Sequence, residues 1–180
     1  TLRSARIFSG LFSFVYLTDN GGYTGDWFKG NIRDLEPAQA LLMQYHTHRP
    51  FAFFIDLEDG RYLKDPRHHE PGSTLPLNLF GVNDSNQKKR GRVTLKIMDH
   101  RGGIVSEYSV NVEVEPFWQS NVPVSIQIPE TSGGYMLLSE LEEGHDEMPV
   151  QVSRRYFVAG EMDEPKFPEY TYPYPPNWPE

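Results

Sequence analysis

The sequence predicts a mainly β fold: an immunoglobulin- or fibronectin-like antiparallel β-sandwich preceded by a βα unit. Three observations carry that reading. Seven short runs between residues 51 and 159 are rich in β-forming residues, several with apolar side chains at every second position. Clusters of Gly, Asn, Asp and Pro separate them, as turns do. Residues 9–49 break the pattern with a nearly continuous apolar run and one helix-forming stretch.

The elements follow in order. SGLFSFVYL (9–17) is apolar almost throughout, which fits a strand buried on both faces, and Asp19-Asn20-Gly21-Gly22 ends it. A polar loop then reaches Asp34. Pro37 suits a first helical turn, and Glu36 suits the positive end of the helix dipole. The AQALLMQYH stretch supplies good helix formers, predicting a helix over 37–46 with Leu41, Leu42 and Tyr45 on a common side. One βα unit cannot hide its own apolar surface. It belongs to something larger.

The strands begin at Pro50. FAFFIDL (51–57) stops at Glu58-Asp59-Gly60, and TLPLNLFGV (74–82) alternates Leu75, Leu77 and Leu79 until Asn83-Asp84. KKRGR (88–92) reads as a solvated connection that discourages edge pairing. GRVTLKIMD (91–99) alternates Val93, Leu95 and Ile97, and HRGG (100–103) turns into IVSEYSVNVEVE (104–115), with positive φ expected at Gly102 and Gly103. VPVSIQI (122–128) alternates Val122, Val124, Ile126 and Ile128, and its Pro123 marks an edge strand. GGYMLLSELEE (133–143) and PVQVSRRYFVA (149–159) complete the set. The Cys-Trp-Cys signature of antibody domains is missing, since the chain has no cysteine.

Composition excludes several functions. A formal charge of −8 over 180 residues argues against nucleic acid or an anionic membrane surface as partner. No apolar run approaches the ~20 residues of a membrane span, and no signal peptide is visible. The chain opens on Thr1 rather than Met, as a processed or excised chain does. The 11 Phe, 10 Tyr and 3 Trp supply ample material for a core.

Chemistry-bearing clusters are sparse. Asp19 and Asp26 have the residue types of a hydrolytic pair, but both suit turns equally well. His46-Thr47-His48 and His68-His69 lack the Cys or carboxylate frame of a metal site. Asp56/Glu58/Asp59 and ELEEGHDE (140–147) have calcium-type oxygens, yet the latter reads more simply as a charged hairpin tip around Gly144. Phosphate loops, nucleophile elbows and zinc motifs do not appear. No catalytic residue, metal or cofactor is assigned. The tail EPKFPEYTYPYPPNWPE (164–180) interleaves prolines with Phe167, Tyr170, Tyr172, Tyr174 and Trp178, which predicts a polyproline-like strap along the protein's own surface, the alternatives being an aromatic platform for sugar rings or a ligand for a proline-recognising partner.

The run from Ser9 to His46, and its passage into a sandwich, resembles the end of a known arrangement. It looks like the last βα unit of the (β/α)8 barrel in the β-galactosidase and β-glucuronidase group of glycoside hydrolases, followed by that group's immunoglobulin-like domain. Gly30-Asn31-Ile32-Arg33-Asp34-Leu35-Glu36-Pro37-Ala38 matches the start of the group's final helix, Val82-Asn83-Asp84 an early strand end, and Ser153 to Val158 a closing strand. The resemblance implies a βα segment over 1–49, a sandwich over 50–160 and a strap over 161–180. It implies that the catalytic glutamates lie upstream, so that this chain alone lacks the acid pair of a hydrolysing parent. Carbohydrate-contact candidates are then Asp19, Tyr23, Asp26 and Trp27 in the loop after the eighth strand. That strand carries Ser13, Phe14 and Tyr16 where the group often has tryptophan or an acid. Implied partners are the upstream barrel of the same polypeptide and carbohydrate, in an extracellular or periplasmic setting; the apolar run 9–17, which cannot stay unpaired in water, separately predicts pairing with a second copy. The alternative is a free-standing carbohydrate-binding or surface interaction module.

Overall fold

The computed structural model describes residues 27–29, 34, 36–144 and 149–174. In chain order its elements are α1 (Gln39–Thr47), β1 (Phe51–Ile55), β2 (His68–His69), β3 (Thr74–Asn83), β4 (Lys89–Met98), β5 (Ile104–Val114), β6 (Gln119–Gln127), β7 (Gly133–Glu142) and β8 (Gln151–Ala159). A 3-10 turn, Gly60–Tyr62, starts where the Asp59 carboxylate accepts from the Arg61 amide at 3.3 Å. The apolar run 9–17 lies outside the described residues, as do Asp19, Tyr23, Asp26 and the end of the tail.

The strands form two sheets. One has the order β1-β3-β6, the other β2-β8-β7-β4-β5. All pairings are antiparallel except the two-residue β2, which lies parallel to β8. This is the sandwich predicted, and β6, with Pro123, is an edge strand as expected. Alternation fixes the register, because a one-residue slip would turn every apolar side chain outward. Val93, Leu95 and Ile97 from β4 meet Leu77 and Leu79 from β3, Ile126 from β6 and Phe51, Phe53 and Ile55 from β1 in the inter-sheet core. Tyr135 and Leu137 from β7 and Phe157 from β8 join them.

β7 is buried along nearly its whole length, which alternation alone does not explain. Its outward residues Met136 and Leu138 lie under a third layer. Leu42 of α1 packs there with Val152 and Tyr156 of β8 and with Tyr172 of the tail. The tail therefore docks on the sandwich, as its aromatics suggested. Gly134 makes room for it: a Cβ at this position would stand 2.4 Å from the Lys166 carbonyl oxygen.

Four local expectations need correction. The buried face of α1 is Leu42 and His46, with Leu41 and Tyr45 only half-buried. The helix starts at Gln39; its preceding residue Ala38 offers no side-chain cap, and the Ala38 amide donates to the Trp27 carbonyl at 2.8 Å. Residues 89–92 are not a connection but the first part of β4, whose charges pair across the sheet: Arg90 with Glu113 at 2.6 Å, Arg92 with Glu142 at 2.7 Å, Lys96 with Glu140 at 2.6 Å. Only Gly102 of its turn has positive φ, 83°; the Gly103 amide instead donates to the Asp99 carboxylate at 2.9 Å.

Candidate functional site

Of the four carbohydrate-contact candidates, Trp27 alone falls among the described residues. It is half-buried beside the start of α1, where Phe28 bridges Pro37 and Lys29 pairs with Glu36 at 2.9 Å. Asp56, Glu58 and Asp59 form no metal cluster, and neither do the histidines; among the described residues no group of three or more His, Cys, Asp or Glu could hold a metal ion. Gly144, at φ 80°, turns the β7–β8 connection, and the Val150 amide returns to the Leu141 carbonyl at 2.8 Å. Among the described residues no helix is long and apolar enough to cross a membrane.

Two features stand out. The first is the seam between α1, the tail and β8. Tyr156 is fully buried at its centre, with the Arg61 guanidinium 5.0 Å from its ring centroid and that of Arg154 at 5.3 Å. Both arginines donate to its hydroxyl, and Arg154 Nε also donates to the Tyr172 hydroxyl at 3.2 Å. Arg61 reaches Glu169 of the tail at 3.1 Å. The Gln39 side-chain oxygen accepts from the Tyr172 amide at 2.6 Å, and His46 stacks on the Tyr172 ring with centroids 5.6 Å apart. Burial pushes the Tyr170 and Tyr172 phenols up, so both stay neutral.

His46 Nε2 donates to the Pro173 carbonyl at 3.3 Å, and its buried Nδ1 has no partner. A proton on Nδ1 would place a cation in the seam without an acceptor. Burial accordingly holds His46 below its usual value of 6.5, the Pro173 bond opposes this, and Arg49 adds repulsion. The unfolded chain takes up this proton near the usual value, so lowering pH through that value favours unfolding. The chain should melt at lower temperature at pH 5.5 than at pH 7.5, and His46→Gln should flatten this dependence. His69, also held low by burial, keeps part of the slope in the variant. Parallel wild-type and variant melting curves across this range would refute the assignment to His46.

The second feature is the tip of the β5–β6 connection, which crosses from the five-stranded sheet to the three-stranded one. Glu115-Pro116-Phe117-Trp118 carries two consecutive aromatics that are 61% and 64% exposed, and Phe117 has φ 52°. The left-handed conformation costs a non-glycine residue roughly 1–2 kcal/mol, so neighbouring contacts must hold it. They do. The Phe117 amide donates to Ser85 O at 3.1 Å, the Trp118 amide to Glu115 O at 3.2 Å, and the Asn83 amide to Trp118 O at 2.9 Å.

Asn83 ties the tip to the β3–β4 turn. It is 0% exposed, and its side-chain nitrogen donates to the carbonyls of Gln87, Val114 and Glu115 at 2.8, 3.1 and 3.0 Å. Its side-chain oxygen accepts from the Ser85 amide at 3.0 Å and hydroxyl at 2.6 Å. Next to the aromatics, Glu115 pairs with Lys88 at 2.7 Å, and Ser85 lies in the turn that bonds to the Phe117 amide. The sequence reading missed this tip. Its signal was available: Pro116-Phe117-Trp118 puts two large aromatics in a turn, where small polar residues are usual.

Residues 76–163 match the family model described as a mannosidase Ig/CBM-like domain. The matched span runs from within β3 through β8 and includes both Asn83 and the aromatic tip. No curated protein matches the sequence. Similar solved structures include a CARDB domain from Pyrococcus furiosus in complex with di-metal ions, at 12% identity and a TM-score of 0.42, covering 61% of this chain and 87% of that one. A cycloisomaltooligosaccharide glucanotransferase from Paenibacillus sp. is similar over 58% of this chain at 18% identity and a TM-score of 0.42. A β-glucuronidase of glycoside hydrolase family 2 is similar over 58% at 14% identity and a TM-score of 0.41. The alignments span 14% and 12% of the lengths of those two enzymes.

Proposed function

We propose that this chain is the non-catalytic, sandwich-bearing portion of a glycoside hydrolase, with the acid and nucleophile carried by a barrel upstream in the same polypeptide. The single observation that carries this is the match of residues 76–163 to the mannosidase Ig/CBM-like domain. The docking of α1 on the sandwich supports it: a helix that ends a barrel and also packs on the next domain joins the two as one body. Residues 1–49 then end the barrel, 50–160 form the sandwich and 161–180 its strap.

Glycoside cleavage needs a proton donor and a nucleophile or base on opposite sides of the scissile bond. The purified 180-residue chain should therefore turn over no member of a panel of aryl glycosides. Turnover abolished by Asp19→Asn or Asp26→Asn would sink the non-catalytic reading. Reading frames upstream of Thr1 should encode strand–helix repeats; a full gene without them would favour a free-standing module instead.

A further inference from the structure

We infer that Phe117 and Trp118 form a stacking platform for the rings of a neutral polysaccharide, an inference that rests on the glycan-associated reading above. Three observations on the tip converge. Both aromatics are mostly exposed, although their turn is the kind that polar residues serve at no cost in exposed apolar surface. The backbone beneath them is fixed by the Asn83 hub and three further backbone hydrogen bonds, and it holds Phe117 at φ 52°. Strain maintained by so many contacts presents the side chains in one arrangement before any ligand arrives. Finally, the surroundings are polar: the Phe117 backbone bonds to Ser85, and the Trp118 backbone bonds to Glu115, which pairs with Lys88.

That combination suits a sugar better than a protein. A pyranose presents a face of C–H groups to an aromatic ring and a rim of hydroxyls to neighbouring polar groups, so a few aromatics flanked by hydrogen-bonding side chains match it. A stable protein interface needs roughly 800 Å² per partner with a core depleted of Asp, Glu and Lys. Two aromatics ringed by such residues fall short of that. Charge narrows the ligand further. The chain's formal charge of −8, with Asp84 and Glu115 at the tip, disfavours uronate or sulfated chains and leaves neutral glycans.

The test is affinity electrophoresis of the chain through gels holding galactomannan, xylan or mixed-linkage β-glucan. Wild type should be retarded by at least one of them. Trp118→Ala and Phe117→Gly should each weaken the retardation about tenfold, as expected for losing one stacked ring. Glycine accepts the positive φ, so Phe117→Gly should melt no lower than wild type. A retardation that survives in both variants overturns the platform and leaves the module reading standing. A wild type that none of the gels retards overturns the platform as well. The aryl-glycoside assay reports on the non-catalytic reading independently of either result.

Discussion

Deleting residues 164–180 should lower the melting temperature by about 10 °C. The strap covers apolar surface that the sandwich cannot cover for itself. Without it, Tyr156, Met136 and Leu138 on the outer face of β7 and β8 lose Phe167, Tyr170 and Tyr172 as neighbours. Burying one aromatic side chain contributes roughly 1.5–3 kcal/mol. Ordering the strap offsets part of this, and its prolines reduce that cost because their backbone has less freedom to lose. A net loss of about 3 kcal/mol in a chain of this size lowers the midpoint by roughly 6–12 °C. Tyr172→Ala should reproduce a large part of it, since that residue also holds Arg154, Gln39 and His46 to the tail. Equal melting of the truncated and full chains would show that the seam contributes nothing to the fold.

This strap was legible because its composition leaves few options: prolines forbid sheet and helix interiors, while aromatics seek burial. The sandwich was legible for a similar reason, since Val93, Leu95 and Ile97 at every second position admit one face only. What could not be read depends on long-range pairing. Arg90 and Arg92 look like part of a solvated run until the register sets Glu113 and Glu142 opposite them. The buried face of α1 followed no apolar stripe, because a histidine, not a leucine, occupies its second buried position and meets Tyr172 from 126 residues away along the chain. Phe117 and Trp118 escaped for the opposite reason. Aromatics are ordinarily assigned to cores, and only the turn that links the two sheets places these two outside. Asn83 was recognised as a strand end, whereas its hub role needed three carbonyls from two turns brought together in space.

Asn83 is accordingly the position where a single substitution should do most harm outside the apolar core. Asn83→Ala removes the donor to three carbonyls, two of them partly and one fully buried, and the acceptor for Ser85. Each buried polar group left unpaired costs about 1–3 kcal/mol, and water can recover the more exposed ones. The expected loss is about 3 kcal/mol, or roughly 6–12 °C in the midpoint. Asn83→Asp separates the hydrogen bonds from the side-chain volume. It keeps the acceptor for Ser85 but sets a carboxylate against three carbonyl oxygens in a fully buried site. Burial and those oxygens should raise the folded-state pKa of this aspartate above the unfolded value of about 3.9. The sign follows from linkage: a group with a raised folded pKa stabilises most when protonated, and that stability is lost as pH rises through the folded value. Relative to wild type at the same pH, Asn83→Asp should thus be strongly destabilised at pH 8 and less so at pH 5, where the protonated acid donates one hydrogen bond. Both variants should also lose affinity for any polysaccharide gel that retards wild type, because Phe117 would no longer be held at its positive φ. Melting within about 2 °C of wild type at both values of pH, set against the several kilocalories expected for a buried charge, would show that the hub does not hold the tip.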